Sequence, residues 1–460
     1  MTATSRTHRP RPWALLGLGL TVTLLAACAD DGSTGTAATG TPTGTASAPV
    51  ATEAATVTPR LVLTYDGGIQ VLDATTLDVV GDLELSGFTR VNGAGDGRHV
   101  LVSTTGGFRV LDAGTWSEPH GDHSHSYTAD PVLTDLTWAA EKPGHVVVHE
   151  GRTALFDDGT GHVVVLDSAA VADADADAAL RELTTPSAHH GVAVELTDGT
   201  LVVSEGTEDA RTGIRVLDAD GTETTSSDLC PGVHGEAVAA DEAVVIGCED
   251  GALVTAGGVV TKVTSPDAYG RIGNQAGSEV SAVVLGDYKT DPDAELERPT
   301  RVSLIDTTTA TLRLVDLPAS YSFRSLGRGD AGEALVLGTD GALHVIDPAT
   351  GTLTRSVPVI GAWQEPEVWQ EARPTLTVLD GTAYVTDPAT RTIHAVDVAT
   401  GEVWRTTTLT VTPNELTGVS GAVAAHDHAD DAHAADDDHD HDDHEHQDED
   451  EDEDDAAPQG

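Results

Sequence analysis

Apolar residues in the middle of the chain come in short runs separated by Gly, Asp and Thr. One run, ending in an aliphatic pair and Asp, recurs. It is Val71-Leu72-Asp73, Val110-Leu111-Asp112, Val165-Leu166-Asp167 and Val216-Leu217-Asp218, then Leu304-Ile305-Asp306, Val345-Ile346-Asp347 and Ala395-Val396-Asp397. A degenerate copy, Ala252-Leu253-Val254-Thr255, fills the gap between Asp218 and Asp306. Many copies follow an earlier apolar run across a Gly/Asp turn, as Leu61 to Tyr65 precedes Asp66-Gly67-Gly68. A Thr/Gly turn and a further run come next. Each unit therefore reads as a four-stranded sheet, and residues 58–421 shared among eight units give about 45 residues each. The pattern predicts an all-β chain, a β-propeller of eight blades with its first strands innermost. A β-sandwich or two small β domains is the competing arrangement. The one helix candidate, Asp173 to Leu183, is short and lies between units.

Composition separates the ends from this repeat. Arg6, Arg9 and Arg11 precede an apolar stretch from Trp13 to Leu25 that is short for a membrane span. The following Leu25-Ala26-Ala27-Cys28 resembles a bacterial lipoprotein cleavage box. Residues 1–28 are then a leader, and a lipid on Cys28 anchors the chain to the outer face of the cytoplasmic membrane. Residues 29–57, rich in Thr, Gly, Ala and Ser, read as a flexible linker spanning about 30 Å. Residues 422–460 form a His/Asp tail without apolar periodicity, read as disordered. Its seven histidines are His426, His428, His433, His439, His441, His444 and His446. They offer many weak metal sites.

The formal net charge of −52 argues against a nucleic-acid partner and favours cations. With Cys28 lipidated, Cys230 and Cys248 remain as a pair for a disulfide in an oxidising compartment. Two free thiols or a thiolate metal site are the alternatives.

The densest candidate chemistry runs from His120 to Gly151. It holds His120, Asp122, His123, His125, His145 and His149, residue types that a borderline cation such as Zn²⁺ takes as ligands. Aligning the units on their Asp places Gly144-His145-Val146, His189-His190-Gly191 and His234-Gly235-Glu236 alike, each opening a first strand. His145, His190 and His234 should then meet at one mouth of the central channel. The His120–His125 loop is expected to fold over that mouth, and Asp122 or Glu236 to complete a tetrahedral shell.

These motifs carry a resemblance. H-G-D-H-S-H-S-Y, K-P-G-H-V-V-V-H-E-G-R-T-A-L-F, A-H-H-G-V-A-V, C-P-G-V-H-G-E-A and G-C-E-D-G resemble the AztD-type periplasmic zinc metallochaperones through most of 58–421. Ala383 to Asp387 also resembles a YVTN-type propeller repeat. The first resemblance implies a propeller that binds zinc and passes it to the solute-binding protein of a zinc ABC importer, with no enzyme activity. The cleavage box and the long tail depart from the family's simplest pattern. No H-E-x-x-H, G-x-S-x-G or phosphate loop is present. Two rival readings stand beside this one: a quinone-dependent propeller dehydrogenase, on fold analogy alone, and a surface scaffold that stores metal.

Overall fold

The computed structural model describes residues 50–173 and 179–423. The leader with Cys28 and the tail histidines from His426 to His446 lie outside the described residues. Among those described, the repeat becomes eight antiparallel four-stranded sheets, the blades of a propeller. Each run ending in Asp is a third strand, and the degenerate copy is the third strand of blade 5, Asp250–Ala256. The recurring carboxylate closes the turn that follows. Asp73 Oδ1 accepts from the Thr75 and Thr76 amides, both at 2.9 Å, and Asp306 Oδ1 does the same for Thr308 and Thr309.

The ring is closed by its C-terminus. Leu416–Val419 is the innermost strand of blade 1 and pairs antiparallel with Arg60–Tyr65, Leu416 opposite Leu63 and Val419 opposite Arg60. Aliphatic side chains fill the spaces between blades: Val62, Ile69 and Val71 of blade 1 pack on Val91, Val100 and Val102 of blade 2. Each such side chain, fully buried, contributes about 1.5–3 kcal/mol. First strands line the channel, including a cavity of ≈ 600 Å³ bordered by Val146, Val148, Glu236 and Arg328. Strands alternate in direction, so starts of first and third strands share one face, here the upper, with ends of second and fourth strands.

Two expectations are corrected. The linker does not extend to Val57: Thr52–Ala54 is a strand, paired with Ser126 to Thr128. It satisfies the backbone groups of a hairpin edge that would otherwise be exposed. The helix candidate ends in a strand, Ala179–Thr184, the outer strand of blade 3. Its burial alternates at period two, with Ala179, Arg181 and Leu183 half-buried and Leu180, Glu182 and Thr184 exposed, as in a sheet with one face in water.

Cys230 and Cys248 form a disulfide with Cα atoms 5.0 Å apart. It ties the loop entering blade 5 to the end of that blade's second strand, Ala243–Cys248, and both residues are buried. Replacing both cysteines with Ser should lower unfolding stability by about 3 kcal/mol on a chain-entropy basis, read from denaturant titrations in which midpoint and m are both fitted.

Candidate metal centre

Three neighbouring blades bring His145, His190 and His234 together at the upper mouth. One ligand nitrogen from each lies within 4.8 Å of the others. Local structure aims each ring. His145 sits in the inner strand of blade 3, Pro143–His149, where one extra residue separates the Pro143–Asp157 and Val146–Leu155 pairs. That bulge turns His145 off the regular alternation toward the mouth. His190 precedes the inner strand of blade 4, Ala193–Glu195. His234 precedes that of blade 5, Glu236–Ala239, on the disulfide-tied loop. The loop turns at Gly235, φ 73°, where a Cβ would sit 2.7 Å from the Gly273 carbonyl oxygen, so the left-handed backbone and that close approach both call for Gly.

Each ring has its Nδ1 held from behind. His190 Nδ1 donates to Asp158 Oδ2 at 2.5 Å, and His234 Nδ1 to the Gly273 carbonyl at 2.5 Å. His145 Nδ1 meets Glu236 Oε2 at 3.0 Å, a charge contact rather than an aligned hydrogen bond. A proton on Nδ1 leaves the Nε2 lone pair facing forward, the arrangement by which outer groups orient metal-binding histidines. The Nε2 atoms of His190 and His234 are 3.3 Å apart. Two lone pairs at that distance repel unless a cation lies between them. It is also about the N···N separation that Zn–N lengths of about 2.0–2.1 Å give in a tetrahedron.

Glu236 thus stands behind a ring, and Asp158, which sequence reasoning missed, does the same for His190. The only hint of Asp158 was its place in Asp157-Asp158-Gly159, a doubled Asp at a strand end. Adjacent His189 is structural: Nδ1 bonds the Ser187 carbonyl and Nε2 the Ser204 hydroxyl, both at 2.9 Å.

Burial pushes the His145 pKa down, but the Glu236 charge and contact outweigh it, with help from Asp158, and the net direction is up. His234 is held well below the usual histidine value, first by burial and then by the charges of His145 and His190.

The His120–His125 loop does not fold over this mouth. It is a hairpin, Thr115–His120 and His123–Thr128, inserted between the third and fourth strands of blade 2. The insertion leaves from the end of a third strand, hence from the lower face. His120, His123 and His125 share one side of the hairpin as a second group within 4.8 Å, and the Nε2 atoms of His123 and His125 are 3.2 Å apart. Asp122 Oδ1 accepts from His123 Nδ1 at 3.1 Å, and Glu53 Oε1 from His125 Nδ1 at 2.9 Å. Glu53 was hidden in a segment read as linker. His149 joins neither group: it lies buried at the far end of the His145 strand, its Nε2 3.1 Å from Glu242 Oε1.

Fold and site together define a β-propeller with two separate triple-histidine groups. No protein-family model matches the chain. It is similar to the zinc chaperone AztD of Citrobacter koseri, 27% identical over 385 residues, 80% of this chain and 88% of that protein. The crystal structure of Citrobacter koseri AztD superposes at a TM-score of 0.68 with 25% identity, over 79% of this chain and 98% of that one. The dihydro-heme d1 dehydrogenase NirN shares the fold alone, with a TM-score of 0.50 and 10% identity, over 79% of this chain and 75% of that one.

Zinc requires neutral imidazoles, and as pH falls His145 takes up its proton before His234 does. Zinc affinity should therefore fall on acidification by about tenfold per pH unit for each proton displaced. Glu236→Gln removes the charge that raises His145. It should weaken zinc binding at pH 8 by about 10–100-fold and move the onset of acid loss to lower pH, both read by chelator competition.

Proposed function

We propose that this protein is an extracytoplasmic zinc metallochaperone that captures Zn²⁺ and passes it to the solute-binding protein of a zinc ABC importer. The convergence of His145, His190 and His234, each held through Nδ1, is the observation that carries this reading. The similarity to AztD supplies zinc as the cargo. The Cys230–Cys248 disulfide supports an extracytoplasmic location, and in this reading a lipid on Cys28, in the Leu25-Ala26-Ala27-Cys28 box, tethers the chain at the outer face of the cytoplasmic membrane. His120, His123 and His125 form a second zinc site, with Asp122 and Glu53 behind two of its rings.

Three imidazoles fill three of the four tetrahedral positions around zinc, and the fourth takes water or an incoming ligand from the acceptor. Transfer then proceeds by ligand exchange at the mouth: an acceptor group enters as a histidine leaves, and zinc is never released to solvent. The acceptor must approach the upper face. There Phe88 and Trp369, 39% and 49% exposed, pack edge to face at 5.0 Å, and a groove of ≈ 330 Å³ runs from them to Pro143, two residues from His145. An exposed aromatic pair beside the exchange site gives the acceptor an anchor.

The dehydrogenase alternative draws on shared fold alone, and no residue of the site favours it. Storage without delivery differs in one measurable respect, the rate of transfer to an acceptor. The protein truncated after Val423 should hold two zinc ions tightly. Replacing His145, His190 and His234 with Ala should remove one, and replacing His120, His123 and His125 the other. Trp369→Ala should leave zinc affinity within about twofold and slow transfer to the cognate solute-binding protein about tenfold. Loss of affinity without change in transfer would contradict the docking role, and no transfer by the unaltered protein would favour storage.

A further inference from the structure

The arginines around the upper mouth are not equally engaged. Arg324 and Arg373, both buried, each have a carboxylate of their own. Arg324 Nη2 donates to Glu415 Oε1 at 2.6 Å, and Arg373 Nη1 to Glu365 Oε1 at 2.7 Å. Arg90 has none. Its Nε lies 3.6 Å from the same Glu415 oxygen that Arg324 already holds, and its side chain is 45% exposed. Among the described residues its guanidinium donates no hydrogen bond. A guanidinium carries five N–H donors in a planar fork that matches a carboxylate, and here the fork is unspent.

Its place in the fold puts that fork beside the histidines. Arg90 opens the inner strand of blade 2, Arg90–Gly93, and lines the ≈ 330 Å³ groove with Phe88, Trp369 and Pro143. Pro143 opens the inner strand of the next blade, two residues before His145. The Arg90 charge is felt at His145, where it opposes protonation. Glu141 also lines the groove and makes no ion pair with Arg90. The groove therefore has an exposed aromatic pair at one end, an unspent guanidinium in its wall and the triple-histidine group beyond the other end. A cation beside a zinc site gains nothing from zinc, because like charges repel. It suits an anion that comes to the zinc. The chain as a whole carries −52, which repels an acidic partner on approach, and Arg90 offsets that repulsion where exchange takes place.

We infer that Arg90 receives a carboxylate of the acceptor and presents it to the zinc as the entering ligand. The inference rests on the delivery reading above and names the chemistry of its acceptor: a protein segment with an Asp or Glu beside an apolar residue that packs on Phe88 and Trp369. A carboxylate oxygen bonds to zinc in the fourth tetrahedral position, and one Zn–N bond breaks as the acceptor's next ligand arrives. The departing imidazole keeps its lone pair, and no electron changes hands. The exposed aromatic pair favours a protein segment over a free carboxylate, which has no apolar surface to cover it.

The test uses the full chain with His120, His123 and His125 changed to Ala, loaded with one equivalent of zinc. Zinc removal is timed with an excess of either EDTA, which is anionic, or phenanthroline, which is uncharged, after circular dichroism has confirmed the fold. Arg90→Gln should slow removal by EDTA about fivefold or more relative to removal by phenanthroline at low salt. Arg90→Lys keeps the charge and should recover most of that rate. In about 0.5 M salt, where the Debye length is about 4 Å, the difference should shrink below about twofold. Equal slowing with both chelators, no slowing with either, or a difference that persists in high salt would overturn the inference. The source of the carboxylate is read from the zinc-free protein and the cognate solute-binding protein by calorimetry. Arg90→Glu and Trp369→Ala should each weaken that association about tenfold. Weakening by Arg90→Glu and not by Trp369→Ala would make the ligand a free carboxylate, and weakening by neither would remove Arg90 from the contact; both results overturn the protein assignment. Failure of the zinc reading itself shows separately: the same chain would hold no zinc before any chelator is added.

Discussion

Pairing of Leu416–Val419 with Arg60–Tyr65 is the constraint on which the rest depends. A propeller blade has no stable existence alone, because each buries its apolar faces against two neighbours. Closing the ring fixes the angular position of every inner strand, and so fixes where the starts of blades 3, 4 and 5 converge. The same pairing brings the C-terminal end of the fold to Gly421, against the hairpin base. One strand pairing thus sets the geometry of the upper group and the footing of the hairpin.

Within the upper group the supporting acceptors differ, and the difference matters. His190 leans on a carboxylate, His145 on a carboxylate without an aligned hydrogen bond, and His234 on a neutral carbonyl. Three half-buried imidazoles facing one another would repel if all were charged. The negative groups, Glu236 and Asp158, sit beside His145 and His190, while His234 faces other cations and is kept neutral by burial. The set therefore holds a ready lone pair at His234 even while His145 carries a proton.

Much of this was legible in the sequence because it is periodic. The Asp repeat gave blade number and strand order, since each Asp closes the same turn and each aliphatic pair fills the same inter-blade space. Aligning on it put His145, His190 and His234 at equivalent places, and the structure sets them side by side. What was not legible depends on partners distant in sequence or on single residues. The hairpin histidines went to the opposite face because whether an insertion leaves from a third or a fourth strand decides its face, and the repeat does not mark that. Asp158, the Gly273 carbonyl and Glu53 act on rings tens of residues away. His149 looks like its neighbours in composition, and only its position at the far end of a strand pairs it with Glu242.

The two groups differ in burial and in how their rings are held. The upper rings are braced by a bulge, a disulfide-tied loop and buried acceptors, so a bound cation keeps its ligands with little loss of side-chain entropy on binding. The hairpin rings stand on a two-residue turn at the molecular surface, with Asp122 fully exposed behind one of them. A protein that must both gather a scarce cation and hold it until a specific acceptor arrives gains from separating these tasks. Placing the groups on opposite faces leaves each open to a separate approach.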